Sequence, residues 1–191
     1  QETNTELDIF FVLQYTTDIL AHQEVSHMSN FIRTAQLADL PQLKAIYNHA
    51  VAHSTATFDL YPRDDADRLA WFQAHQGKYA LLVCETDGVI AGYASLSRYR
   101  ERPAFDGAAE ISIYLHPDFR GQHIGSQLMQ KILAFAAQQP DIDTVISLIT
   151  SENTVSTYLH EKFGFTLCGV IHRCGKKFGR YLDLSIYQIL F

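Results

Sequence analysis

The sequence predicts a mixed α/β domain, and three stretches carry that expectation. Residues 110–115, Glu-Ile-Ser-Ile-Tyr-Leu, alternate apolar and polar as a half-buried strand does, until Pro117 ends the run. A glycine-bearing turn then leads into Leu128, Ile132, Leu133 and Phe135, whose spacing is that of an amphipathic helix. Upstream, residues 79–85 and 89–97 are strand-like runs joined by Thr86-Asp87-Gly88, a tight-turn signal for an antiparallel hairpin. Local hairpins together with a helix that comes after a central strand indicate a sheet covered by helices.

From the N-terminal side, residues 31–35 read as a first strand. Asp39 stands where it can cap a helix whose Leu40, Leu43, Ile46, Tyr47, Ala50 and Val51 share one face, and Pro41 suits its first turn. His49 and His53 lie one turn apart with no evident third ligand, so they read as solvent-facing rather than metal-binding. Residues 55–63 form a polar and aromatic loop, after which Asp64 or Asp65 caps a helix carrying Leu69, Trp71 and Phe72. Arg98-Tyr99-Arg100-Glu101-Arg102 comes after the hairpin: either a solvated charged loop or a pair of guanidinium forks matched to oxyanions. Residues 144–149 are apolar enough for a strand buried on both faces. Asn153 begins a helix that ends at Phe163-Gly164, where glycine permits the left-handed turn. Residues 166–172 and 181–190 are the last two strands, linked by a Gly-rich basic loop in which Lys177 and Arg180 can face an acidic ligand.

Composition narrows the function classes. With 15 Lys and Arg against 21 Asp and Glu, the net charge of −6 excludes an extended nucleic-acid surface. The apolar run at residues 9–13 is too short to span a membrane. The 3 cysteines form no Cys-x-x-Cys pair; Cys84 and Cys168 read as buried thiols, Cys174 as a thiol beside a turn. An odd count without a disulfide framework indicates a reducing, cytoplasmic setting. Ser26-His27-Met28 resembles a cloning junction. The expectation is a vector-derived or mis-annotated leader joined to one domain over residues 28–191.

The turn Arg120-Gly121-Gln122-His123-Ile124-Gly125 carries chemistry. The first N–H groups of a helix lack backbone partners and sit at the positive end of its dipole, so such a turn can hold a pyrophosphate, with Arg120 and His123 as added donors. Taken alone, such a turn is more often an ordinary strand-to-helix turn. Its surroundings are more specific: Ile46-Tyr47-Asn48, Thr57-Phe58, Arg68-x-x-Trp71, Glu110-x-Ser112-x-Tyr114, Leu159-His160-Glu161-Lys162 and Gly175-Lys176-Lys177-Phe178-Gly179-Arg180. With these motifs the chain resembles the GCN5-related N-acetyltransferase superfamily and, within it, the phosphinothricin or methionine sulfoximine N-acetyltransferases, over roughly residues 32–190.

That resemblance implies a twisted, mostly antiparallel sheet of about six to seven strands, splayed where acetyl-CoA lies. It also implies a homodimer, no metal, and an acceptor that is a small, anionic amino-acid analogue. Glu110 takes the position of the catalytic base, His160 that of the general acid, with Tyr114 and Tyr158 as alternative donors. Main-chain groups of Ile113, Tyr114 and Leu115 meet the pantetheine arm. Arg120, Gly121, Gln122, His123, Ile124, Gly125 and Ser126 hold the pyrophosphate, and Asn153 also contacts the cofactor. Phe58, Arg100, Arg102, Lys177 and Arg180 surround the acceptor. His123 stands where the family most often has glycine. Alternatives left open are another amine acceptor, such as a protein N-terminus, polyamine or aminoglycoside, and a CoA-binding sensor without turnover.

Overall fold

The computed structural model describes residues 30–191; the leader expected at residues 1–27 lies outside them. A seven-stranded sheet runs in the order β1-β2-β3-β4-β5-β7-β6. Its strands are β1 (Phe31–Thr34), β2 (Leu81–Thr86), β3 (Val89–Arg98), β4 (Ala108–Leu115), β5 (Thr144–Thr150), β6 (Thr166–Lys177) and β7 (Arg180–Leu190). Four helices flank it: α1 (Leu40–His53), α2 (Asp65–Ala74), α3 (Ile124–Ala136) and α4 (Thr154–Lys162). Every neighbouring pair is antiparallel except β4 and β5. The mixed, mostly antiparallel sheet expected from sequence is the observed one.

The two periodicities place two cores. On one face Leu128, Met129, Ile132 and Ala136 of α3 pack on Ala94, Leu96, Ala109, Ile111, Val145 and Ile149. On the other, Leu43 and Ile46 of α1 pack with Leu81, Val83, Ile90 and Tyr93, and Trp71 and Phe72 of α2 close the side. β3 is therefore covered on both faces, which is why its sequence reads as a nearly continuous run of small and apolar residues. The 86–88 turn is as expected, with Asp87 and Gly88 both at positive φ, the geometry of a primed hairpin turn.

Three local expectations need correction. Asp39 is at the N-cap of α1 but does not cap it; both carboxylate oxygens bind the Arg33 guanidinium at 2.7 and 2.8 Å, which holds its pKa below the usual carboxylate value. The basic stretch before Phe178 is strand rather than loop, because Phe178 and Gly179, both at positive φ, turn the chain in two residues. Cys168 is exposed, since β6 is the outermost strand and lacks cover on its outer side; Cys84 is buried as expected.

Gly92 on β3 faces Leu115 in the β3–β4 ladder, and a β-carbon there would come within 2.5 Å of Leu115 Cδ2 and 2.8 Å of the Tyr114 carbonyl oxygen. The close approach of β4 depends on the missing side chain. Gly92→Ala is expected to lower unfolding stability by about 1–3 kcal/mol, the usual range for overpacking, read by urea denaturation; an unchanged midpoint would show that β4 can shift without cost.

Candidate active site

β4 and β5 are paired for only three positions, Ala108↔Thr144, Ala109↔Val145 and Glu110↔Ile146. Beyond Glu110 the two strands part, while β4 stays registered with β3 up to Leu115 and β5 with β7 up to Thr150. The β4 edge of Ile111–Leu115 that faces β5 thus presents main-chain groups without a strand partner among the described residues, and such groups call for an extended ligand. The cleft that opens there has a volume of about 1110 Å³, enough for two ligands together.

Antiparallel register arranges the floor of this cleft. Ser97 faces Glu110, Ser95 faces Ser112 and Tyr93 faces Tyr114, so one side of the β3–β4 ribbon carries a carboxylate, three hydroxymethyl groups and two phenols. Burial raises the Glu110 carboxyl above the ordinary glutamate value, and the charge of Arg100 opposes that rise. Tyr114 packs between Tyr47 and Tyr93, at centroid distances of 5.2 and 5.5 Å; burial keeps its phenol protonated well beyond neutral pH.

His160 is buried on α4. Its Nδ1 lies 2.7 Å from the Ser156 carbonyl oxygen, which can only accept, so Nδ1 bears the proton and Nε2 is an acceptor with no partner among the described residues. Burial depresses the imidazole pKa, so the ring is neutral near pH 7. An imidazolium formed there would be a stronger acid than an exposed one.

A strap formed by the α1–α2 loop closes the acceptor side. Three consecutive carbonyls are held from three strands: Thr55 by Thr150 Oγ1 at 2.7 Å, Ala56 by Tyr114 Oη at 3.4 Å and Thr57 by Lys177 Nζ at 2.8 Å. The Phe58 ring lies on Gly175, where a β-carbon would be 2.2 Å from it. Thr55 Oγ1 donates to Glu152, and Arg180 holds the same carboxylate, whose pKa falls to about 2.

Among the expected cofactor residues, Ile113, Tyr114, Leu115, Arg120, Gly121, Gly125 and Asn153 line the cleft; Gln122, His123, Ile124 and Ser126 do not. Asn153 also caps α4 through Ser156 N at 3.2 Å. His123, at φ 60°, supplies the left-handed step for which glycine is the usual residue, and Gly121, at φ 77°, has open space where a side chain would stand. The N-terminus of α3 begins just after this turn, with its first N–H groups unpaired. These features fit a cofactor with a pantetheine arm and a pyrophosphate.

The acceptor-side basic residues divide. Phe58 and Arg180 line the cleft; Arg100, stacked on Tyr99 at 4.4 Å, and Arg102 do not. Lys177 is buried and committed to Thr57, and Arg180 is matched by Glu152. The cation embedded in the wall is Arg68, which lies 4.6 Å from the Tyr47 centroid and 4.7 Å from Trp71, with Asp67 as its ion pair. An arginine among the apolar positions of α2 was the available sign of it. His49 and His53 stack at 4.6 Å, and among the described residues no cluster of three metal-ligating side chains occurs.

Residues 43–165 match the model of the acetyltransferase (GNAT) family. The chain belongs to the GNAT family. This acetyltransferase is 40% identical over 164 residues to the L-methionine sulfoximine/L-methionine sulfone acetyltransferase of Pseudomonas aeruginosa, covering 85% of this chain and 95% of that one. It is 34% identical over 166 residues to the phosphinothricin N-acetyltransferase of Alcaligenes faecalis, covering 86% and 84%. The acetyl-CoA complex of a GNAT superfamily phosphinothricin acetyltransferase from Sinorhizobium meliloti superimposes with a TM-score of 0.82 at 31% identity, over 86% of this chain and 89% of that chain.

Lys177→Met keeps much of the bulk of Lys177 but removes the donor to Thr57. It is expected to raise the KM of the amine several-fold while acetyl-CoA affinity stays within about twofold. An equal loss of both would mean that the strap serves the whole cleft rather than its acceptor side.

Proposed function

We propose that this acetyltransferase moves the acetyl group of acetyl-CoA directly to the primary amine of a small amino-acid analogue, with phosphinothricin, methionine sulfoximine and methionine sulfone as the acceptor class. The observation that carries the reading is the placement of Glu110 at the last paired position before β4 and β5 part, where a base meets an unpaired main-chain edge. The names of the relatives support the acceptor class.

Acetyl-CoA supplies an acetyl thioester when bound. Ile113, Tyr114 and Leu115 would hold the extended arm and Arg120, Gly121 and Gly125 the pyrophosphate, and an N–H of the freed β4 edge would polarise the carbonyl. Glu110 takes the proton of the acceptor's ammonium, directly or through a water. Its burial-raised pKa makes it a better base than an exposed glutamate. His160, neutral with its lone pair on Nε2, would have to take up a proton there from water before passing it to the departing thiolate; burial favours the second step.

Arg100 and Arg102 favour an anionic acceptor through the charge they bring to the loop that precedes β4, and Arg100 is the charge that Glu110 feels. The domain is read as residues 28–191, the setting as cytoplasmic. A homodimer is supported by the exposed Leu167, Val170 and Ile171 on the edge strand.

The test is acetyl-CoA-dependent thiol release with phosphinothricin and methionine sulfoximine beside ordinary amino acids, polyamines and aminoglycosides. Preference for the first two is expected; preference for a cationic amine would overturn the anionic acceptor, and binding without release would favour a sensor. Glu110→Gln is expected to lower kcat by roughly a hundredfold or more with acetyl-CoA affinity retained. The acid limb of kcat/KM should lie above the ordinary glutamate range. Arg100 lowers the Glu110 pKa, so Arg100→Ala should move that limb to higher pH; a shift to lower pH would assign the limb to another group.

A further inference from the structure

His75, just past the end of α2, lies behind the polar face of the β3–β4 ribbon. Its Nδ1 is 2.6 Å from the Trp71 carbonyl oxygen and its Nε2 is 3.0 Å from Ser97 Oγ. A carbonyl oxygen can only accept, so the short contact at Trp71 places the ring proton on Nδ1. Nε2 is then a lone pair, and the hydrogen bond to Ser97 exists only if the serine hydroxyl donates. The polarity of the chain is fixed from its far end: Nδ1–H to carbonyl, Oγ–H to Nε2. The Ser97 proton is therefore turned away from the cleft, and its oxygen lone pairs are what a ligand meets.

Ser97 is the register partner of Glu110, on the same face of the ribbon, and both line the cleft. Directly opposed residues of an antiparallel pair have their β-carbons about 5 Å apart. The cleft floor thus offers two acceptors side by side, a carboxylate and a hydroxyl oxygen, and this pair matches a primary ammonium, which has three N–H donors and no acceptor. Burial, reinforced by the charge of Arg68, holds the His75 ring neutral against the opposing effect of the Trp71 carbonyl, which keeps this polarity at physiological pH.

We propose that Ser97 is a second binding residue for the reacting amine, accepting one N–H while Glu110 takes the proton from another, and that His75 is the positioning residue that fixes the direction of the Ser97 hydroxyl. Once one proton has moved to Glu110, the N–H held by Ser97 constrains the orientation of the nitrogen lone pair that has formed. No bond to Ser97 is made or broken. The proposal rests on the acetyltransferase reading and adds to it the residues that orient the acceptor.

The test is steady-state kinetics over both substrates, using the amine preferred by the wild-type enzyme, for Ser97→Ala, His75→Leu and His75→Gln, with thermal unfolding of each. A hydrogen bond to a charged group is worth about 1.5–3 kcal/mol, so Ser97→Ala should raise the amine's KM by roughly tenfold or more, with acetyl-CoA affinity within about twofold of wild type. His75→Leu should do the same because the freed hydroxyl can turn its proton toward the cleft. His75→Gln should restore the KM, since the carboxamide oxygen can accept from Ser97. A Ser97→Ala enzyme with an unchanged amine KM would overturn the proposal, and so would a His75→Gln enzyme as impaired as His75→Leu, which would reduce His75 to its packing on Trp71 at 4.6 Å. If His75→Leu does not fold, Ser97→Ala and His75→Gln decide. Wild-type protein that acetylates no amine would instead sink the acetyltransferase reading itself.

Discussion

The parting of β4 from β5 is the constraint on which the site depends. A parallel pair within an otherwise antiparallel sheet has no hairpin to hold it, and here it lasts for three positions before the strands diverge. The sheet survives this interruption because each strand keeps a full-length antiparallel partner on its other side, β3 for β4 and β7 for β5. α3 spans the same region from one face, its fully buried Leu128, Met129 and Ile132 joining residues of both strands in one core. The opening is therefore framed by two antiparallel ladders and the α3 core, with main-chain groups left for an extended ligand.

Catalytic capacity comes from what the register brings to the mouth of that opening. The serines, Glu110 and the tyrosines of the β3–β4 ribbon face α1 and α2 rather than the α3 core, so the polar side of β4 becomes the floor of the acceptor site. The strap over it is built from contacts of high sequence separation, Lys177 to Thr57 being 120 residues apart. Burial raises Glu110 and depresses His75 and His160, while the charge of Arg100 restrains the first of these shifts. The cleft thus holds a carboxylate that accepts protons readily and the neutral imidazole of His160, with that of His75 behind its floor, and hydrogen bonds to carbonyl oxygens fix both tautomers.

The legible parts of the sequence were those written in short-range pattern. The alternation around Glu110, the glycine-bearing turn, the 86–88 hairpin and the α3 stripe each lie within a few turns or one strand, and each formed as read. Roles set by distant partners were not legible. Lys177 reads as a ligand cation, yet the fold buries it against Thr57, and Arg180, which does line the cleft, is paired with Glu152. His75 and Ser97, 22 residues apart on a helix end and a strand, give no periodic signal at all. Cys168 sits in an apolar run, yet the outermost strand exposes it, because burial of a strand depends on its place in the sheet order.

A serine hydrogen-bonded to a neutral imidazole is also the arrangement of an activated nucleophile, so the sharpest question is whether the acetyl group ever rests on the protein. Intact-protein mass spectrometry after mixing with acetyl-CoA, before and after adding the amine, answers it. Direct transfer predicts unmodified protein at every time point and acetylated amine only when both substrates are present. An acetylated Ser97 that forms without the amine and disappears at the catalytic rate on its addition would contradict it.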